Sequence, residues 1–69
     1  MISYEPLWET MKRKKATTYT LRNKGNSNNV SGSTIEQIKN NKPISTITID
    51  AICKILDCNI SDIIKFIPD

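Results

Sequence analysis

The chain has 69 residues, ten Lys/Arg against seven Asp/Glu, a formal charge of +3 and no histidine. Two cysteines without a histidine supply neither a disulfide framework nor a zinc ligand set, no nucleophile–base pair is evident for an enzyme, and no apolar run approaches the roughly 20 residues of a membrane-spanning helix. What remains is a small protein held by packing, which buries only roughly 60% of the surface its unfolded chain exposes.

The first predicted element is a helix over 4–14. Tyr4, Leu7, Trp8 and Met11 follow the i, i+3, i+4, i+7 spacing of one buried face. Pro6 fits its first turn, and the run Lys12–Lys15 suits its C-terminus, where cations oppose the dipole. A second helix is expected over 18–24, capped by Thr17 or Thr18, with Tyr19 and Leu21 as anchors and Lys24–Gly25 at its end. GNSNN, residues 25–29, reads as a polar loop.

A third helix is expected over 32–41. Ser31 can cap it, and Ser33 with Glu36 offers a capping box as an alternative start. Pro43 prevents its continuation. Ser45 or Thr46 caps a fourth helix over 47–57, with Ile49, Ile52, Cys53 and Leu56 on one face. The β-branched stretch ISTITI (44–49) also suits a strand, but no partner strand is evident. Asn59 caps a fifth helix over 60–67, with Ile60, Ile63, Ile64 and Ile67 inward. The expectation is one all-α domain spanning 1–69, compact, with five helices and no sheet.

The third helix raises a functional question, because it has little to bury. At 100° per residue, Ile35 and Ile38 define its inner side, and Ser33, Glu36, Gln37 and Asn40 fall opposite. Asn and Gln pair bidentately with the N6/N7 edge of adenine, Ser bonds several base edges, and Glu accepts from cytosine N4. Such a face suits the major groove, although taken alone it suits plain solvent better. Charge adds weight to the first reading. Residues 1–42 carry eight Lys/Arg against three Glu, while 43–69 carry two Lys against four Asp, so the N-terminal half suits a polyanion. Hydroxyls at helix starts and cations beside them are the usual phosphate ligands. Here these are Thr17 and Thr18, then Lys39, Asn41 and Lys42, then Ser45 and Thr46.

Three stretches, YEPLWETMKRKKATTYTL (4–21), STIEQIKNNKPIST (33–46) and TIDAICKILDCNISDIIKFIPD (48–69), together resemble the small Cro/phage-repressor-type (XRE-like) helix-turn-helix transcriptional regulators. The resemblance covers most of the chain and lies in order and spacing rather than in a single signature. It implies a five-helix Cro/phage-repressor-like domain that binds double-stranded DNA, with the third helix in the major groove. By position it makes Val30, Ile35 and Ile38 anchors, and Ser31, Ser33, Thr34, Gln37 and Asn40 the DNA-facing residues. The chain departs from the family at three places. The GNSNN connection is about three residues longer than usual, Arg22 stands where a small or apolar residue is usual, and Glu36 puts a negative charge on the DNA face.

The expected function is therefore a sequence-specific, repressor-like transcriptional regulator, without cofactor, metal or small-molecule effector. The alternative is a protein-interaction module on the same fold, since fold does not fix function. Phe66 lies off the apolar stripe of the last helix and is a candidate homodimer contact, with a satellite of the core as its other reading. Cys53 is expected in the core, whereas Cys58 at a turn is a candidate thiol sensor whose reactivity depends on exposure. Charge follows Met1–Ser3 where a signal segment would be apolar, and unpaired cysteines suit a reducing compartment, so a cytoplasmic location is expected.

Overall fold

The computed structural model describes residues 1–23 and 29–68. Its elements are β1 (Ile2–Ser3), α1 (Glu5–Arg13), α2 (Thr18–Asn23), α3 (Gly32–Lys39), α4 (Thr46–Leu56), a 3-10 turn (Ile60–Asp62) and β2 (Lys65–Phe66). The fold is mostly helical, with four α-helices among the described residues rather than five. The predicted end of the second helix at Lys24–Gly25 and most of the following loop lie outside them.

Each helix has a local cause. In α1, Pro6 occupies the first turn, Glu5 places a negative charge at the N-terminus, and Lys12 and Arg13 place positive charge at the other end. α3 and α4 begin with the same device. Ser31 Oγ accepts from the Thr34 amide at 3.2 Å, and Ser45 Oγ accepts from the Thr48 amide at 3.2 Å. Three helices end in a left-handed residue that is not glycine: Lys15 after α1 (φ 56°), Asn41 after α3 (φ 56°) and Asp57 after α4 (φ 52°). At each, the next amide reaches back across the last turn, from Ala16 to Met11, Lys42 to Gln37 and Cys58 to Cys53. This backbone pattern satisfies carbonyls that the helix leaves open.

The core takes one fully buried side chain from each helix and one from the C-terminal turn: Leu7, Leu21, Ile38, Ile52 and Ile63. Tyr4, Met11, Val30, Ile35 and Leu56 complete it. Two expected core residues of the first two helices are displaced. Trp8 lies at the rim, and the inner face of α1 runs through Leu7, Thr10 and Met11 instead. Thr10 is tolerated there because its hydroxyl donates to the Asp62 carbonyl at 2.7 Å, so its buried hydroxyl is not left unsatisfied. Tyr19 is 62% exposed, leaving Leu21 as the one buried side chain of α2.

The C-terminal segment differs most from expectation. Asn59 does begin a helical turn, its amide bonded to Asp62 Oδ2 at 3.1 Å. The turn stops after three residues, and Ile63 drops into the core. Lys65–Phe66 then pairs antiparallel with Ile2–Ser3, Phe66 opposite Ile2 and Lys65 opposite Ser3. Reciprocal bonds between Met1 and Ile67, of 2.7 and 2.8 Å, extend the ladder. An ion pair between Lys65 and Glu5, at 3.3 Å, ties it to α1. Ile60 and Ile67 are consequently exposed. Extended pairing prevails over the fifth helix because β-branched and aromatic residues favour strands and Pro68 closes the segment.

Candidate nucleic-acid interface

Ile35 and Ile38 seat α3 in the core, and Val30 seats the chain just before it. The Val30 amide donates to the Leu21 carbonyl at 2.8 Å, so the start of α3 is tied directly to α2. The three expected anchors are all buried. Ser31, not Ser33, is the cap. Its Oγ lies 2.8 Å from Thr34 Oγ1 and 3.2 Å from Ser33 Oγ, so three hydroxyls gather at the N-terminal end of the helix.

With the isoleucines inward, Ser33, Glu36, Gln37 and Asn40 are exposed. Gln37 makes no side-chain hydrogen bond among the described residues, so its amide keeps both donor and acceptor for a partner. Asn40 Nδ2 donates to the Glu36 carbonyl at 2.9 Å, which fixes the side chain and leaves Oδ1 as its acceptor. Thr34 is set aside from this face. It is half-buried and lines a shallow groove with Ser31, Ile47 and Thr48 at the start of α4.

The candidate phosphate ligands fall into two groups. Lys39, Asn41 and Lys42 are exposed at the end of α3, and neither lysine has a carboxylate partner among the described residues. The backbone there is held firmly. The Asn41 amide donates to the Ile38 carbonyl at 3.0 Å, and the Lys42 amide to the Gln37 carbonyl at 2.8 Å. The Tyr4 hydroxyl donates to the Lys42 carbonyl at 2.6 Å, and burial pushes the Tyr4 phenol above its ordinary pKa. Ser45 and Thr46, both exposed, start α4, where Ser45 caps the helix. The second group is Thr17 and Thr18 at the start of α2, where the Thr17 amide donates to Thr20 Oγ1 at 3.2 Å. Phe66, 68% exposed, stands beside Ile2 on the terminal ladder.

One basic residue next to this surface was visible in the sequence only as a departure from the family pattern. Arg22, exposed on the last turn of α2, lays its guanidinium against Gly32, the first residue of α3. A cation one residue from a helix end and ten from the next helix start gives no periodic signal. Only the packing of α2 on α3 brings the two together.

The remaining chemistry is quiet. Burial pushes the Cys58 thiol up, with Cys53 and Asp62 beside it acting in the same direction, so it lacks the lowered pKa of a reactive thiolate. Cys53 packs half-buried against the core. Among the described residues no cluster of His, Cys, Asp or Glu is suited to a metal, and no helix is long and apolar enough to cross a membrane.

Comparison with known proteins bears on the fold and the family. No curated protein sequence matches the chain significantly. The crystal structure of transcriptional regulator VanUg, Form II, is similar with a TM-score of 0.82 and 31% identity, over 99% of this chain and 87% of that one. A family model of the Cro/C1-type helix-turn-helix DNA-binding domain matches residues 6–69. That family is a DNA-binding one, not a class of enzymes. With the match running from the first turn of α1 to the end of the chain, the protein belongs to the Cro/C1-type helix-turn-helix DNA-binding domains.

Proposed function

We propose that the chain acts as one helix-turn-helix unit that reads duplex DNA in a sequence-specific way, as a repressor-like transcriptional regulator with α3 in the major groove. One observation carries the reading. α3 buries two isoleucines and turns outward a face of Ser33, Glu36, Gln37 and Asn40, on which the Gln37 amide has no partner among the described residues. A groove about 12 Å wide admits one helix, and short side chains let its axis approach the bases. In this pose Gln37 pairs with an adenine, and Ser31, Ser33 and Asn40 complete the base contacts, while Thr34, half-buried against the start of α4, stands behind them. Lys39, Asn41 and Lys42 at one end of α3, with Ser45, Thr46, Thr17 and Thr18, hold the phosphates. The similarity to VanUg, a transcriptional regulator, supports the same role.

A homodimer goes with this reading, because one small module offers few base contacts. Phe66 and Ile2, side by side and exposed on the terminal ladder, are the apolar surface for it. A dimer reads half-sites about one helical turn apart. Selection of bound fragments from a random duplex library, at about 150 mM salt, tests the proposal. A recurring motif is expected, palindromic for a dimer. Binding without enrichment that vanishes as salt rises would leave only a basic surface and return the chain to the protein-partner reading.

A further inference from the structure

The placement of Arg22 has a geometric detail that points to a role. A methyl group in place of the Gly32 hydrogen would lie 3.7 Å from Arg22 Cζ, 3.8 Å from Nε and 3.9 Å from Nη2. The central carbon is nearest and the nitrogens barely farther. A guanidinium approached edge-on would bring one nitrogen nearer than the carbon by roughly the 1.3 Å of a C–N bond. The group therefore lies flat on Gly32, face to the helix, with its N–H edge pointing sideways. Glycine is not required there by the backbone, since no glycine among the described residues has positive φ. A methyl there would meet the guanidinium at ordinary contact distance, so the stacking does not depend on the glycine either. Among the described residues Arg22 meets no carboxylate and no hydrogen-bond acceptor, so the donors of its planar fork are free.

We infer that Arg22 is a base-reading residue, presenting this edge to the O6/N7 pair of a guanine in the major groove. The inference rests on the reading of α3 as the groove helix. The N-terminal residues of such a helix are the ones that contact base edges, and Arg22 is held against the first of them. The Ser31 and Ser33 hydroxyls belong to the same end of the helix. Two acceptors side by side on guanine fit a fork of two parallel N–H donors. A phosphate offers a similar pair of oxygens, and the experiment separates the two.

Selected motifs are compared for the wild type, Arg22→Ala and Arg22→Lys, with thermal melting as the control for folding. Arg22 is exposed, so all three melt together. The wild-type motif contains a G·C pair whose preference falls roughly ten- to a hundredfold in Arg22→Ala and by less in Arg22→Lys. Lysine keeps the charge but not the fork, so Arg22→Lys keeps the salt slope while its preference weakens. A motif that survives both variants, with a slope shallower by about one in Arg22→Ala, makes Arg22 a phosphate contact. That result overturns the guanine assignment and leaves the DNA reader standing. Absence of any motif for the wild type overturns the groove reading and this assignment with it.

Discussion

α3 and α4 begin alike and serve differently. Each opens with a serine whose hydroxyl caps the amide three residues on and touches the threonine hydroxyl there, Ser31 with Thr34 and Ser45 with Thr48. Each ends in a left-handed residue, Asn41 or Asp57. Between those ends, α3 commits two isoleucines to the core and leaves its outer side to polar groups. α4 buries Ile52 and Leu56 and packs Ile49, Cys53 and Ile55 against the same core. The start and stop signals say where a helix lies. The face between them says whether it holds the protein together or is held out to a partner.

The largest effect that tests this contrast comes from one truncation in each helix. Ile52→Ala, at a fully buried position, is expected to cost about 2–5 kcal/mol, enough to unfold much of a small domain, as read by thermal melting. Gln37→Ala should change stability by less than about 0.5 kcal/mol yet lose roughly 1–3 kcal/mol of discrimination at one base pair. If the two variants melt alike, the division of labour is wrong.

Next come the caps. Ser31→Ala and Ser45→Ala should each destabilise by about 0.5–2 kcal/mol. Only Ser31→Ala should also alter the selected motif, because its hydroxyl organises Ser33 and Thr34 at the end of α3. An identical loss of base preference in both would mean that folding alone explains it.

The bond from the Tyr4 hydroxyl to the Lys42 carbonyl beyond α3 is tested by pH. The Tyr4 phenol, raised above its ordinary 10.0 by burial, favours its protonated form in the fold. Its contribution is therefore complete below the ordinary value and lost as pH rises through the raised one. Stability of the wild type should fall above pH 10 more steeply than that of Tyr4→Phe, followed by urea unfolding. Parallel curves would remove Tyr4 from the account.

The smallest effects lie at the left-handed ends. Lys15→Gly relieves a side chain at φ 56° and should gain about 1 kcal/mol. Asn41→Gly and Asp57→Gly should gain less, since Asn and Asp visit that conformation more readily. Equal gains at all three sites would show that side-chain chemistry does not matter there.

Much of this was legible in the residues. Three helix starts were, because short hydroxyl side chains before apolar periodicity leave few alternatives. Ile35 and Ile38 were, because their spacing fits a single helix face, and Val30 was through the resemblance to the family. Trp8 and Tyr19 were misplaced for one reason. Rotating a short helix by one residue exchanges a large side chain at the rim for a neighbour inside, and hydrophobicity favours the larger one. Thr10 was missed because its burial depends on a carbonyl 52 residues away. The terminal ladder was missed because Ile2–Ser3 is too short to show alternation, and the helix expected at 60–67 had no visible competitor. Arg22 could not be placed without the packing of α2 on α3.

The bond from the Val30 amide to the Leu21 carbonyl also bears on how much the chain between the two helices may vary. It fixes both ends of the connection, so the seating of α3 does not depend on the path of the eight residues between them. Closing such a loop costs entropy that grows only with the logarithm of its length, about 0.6 kcal/mol for each doubling. Length is therefore nearly free at this point, and the link can lengthen without moving the seat of α3 in the core.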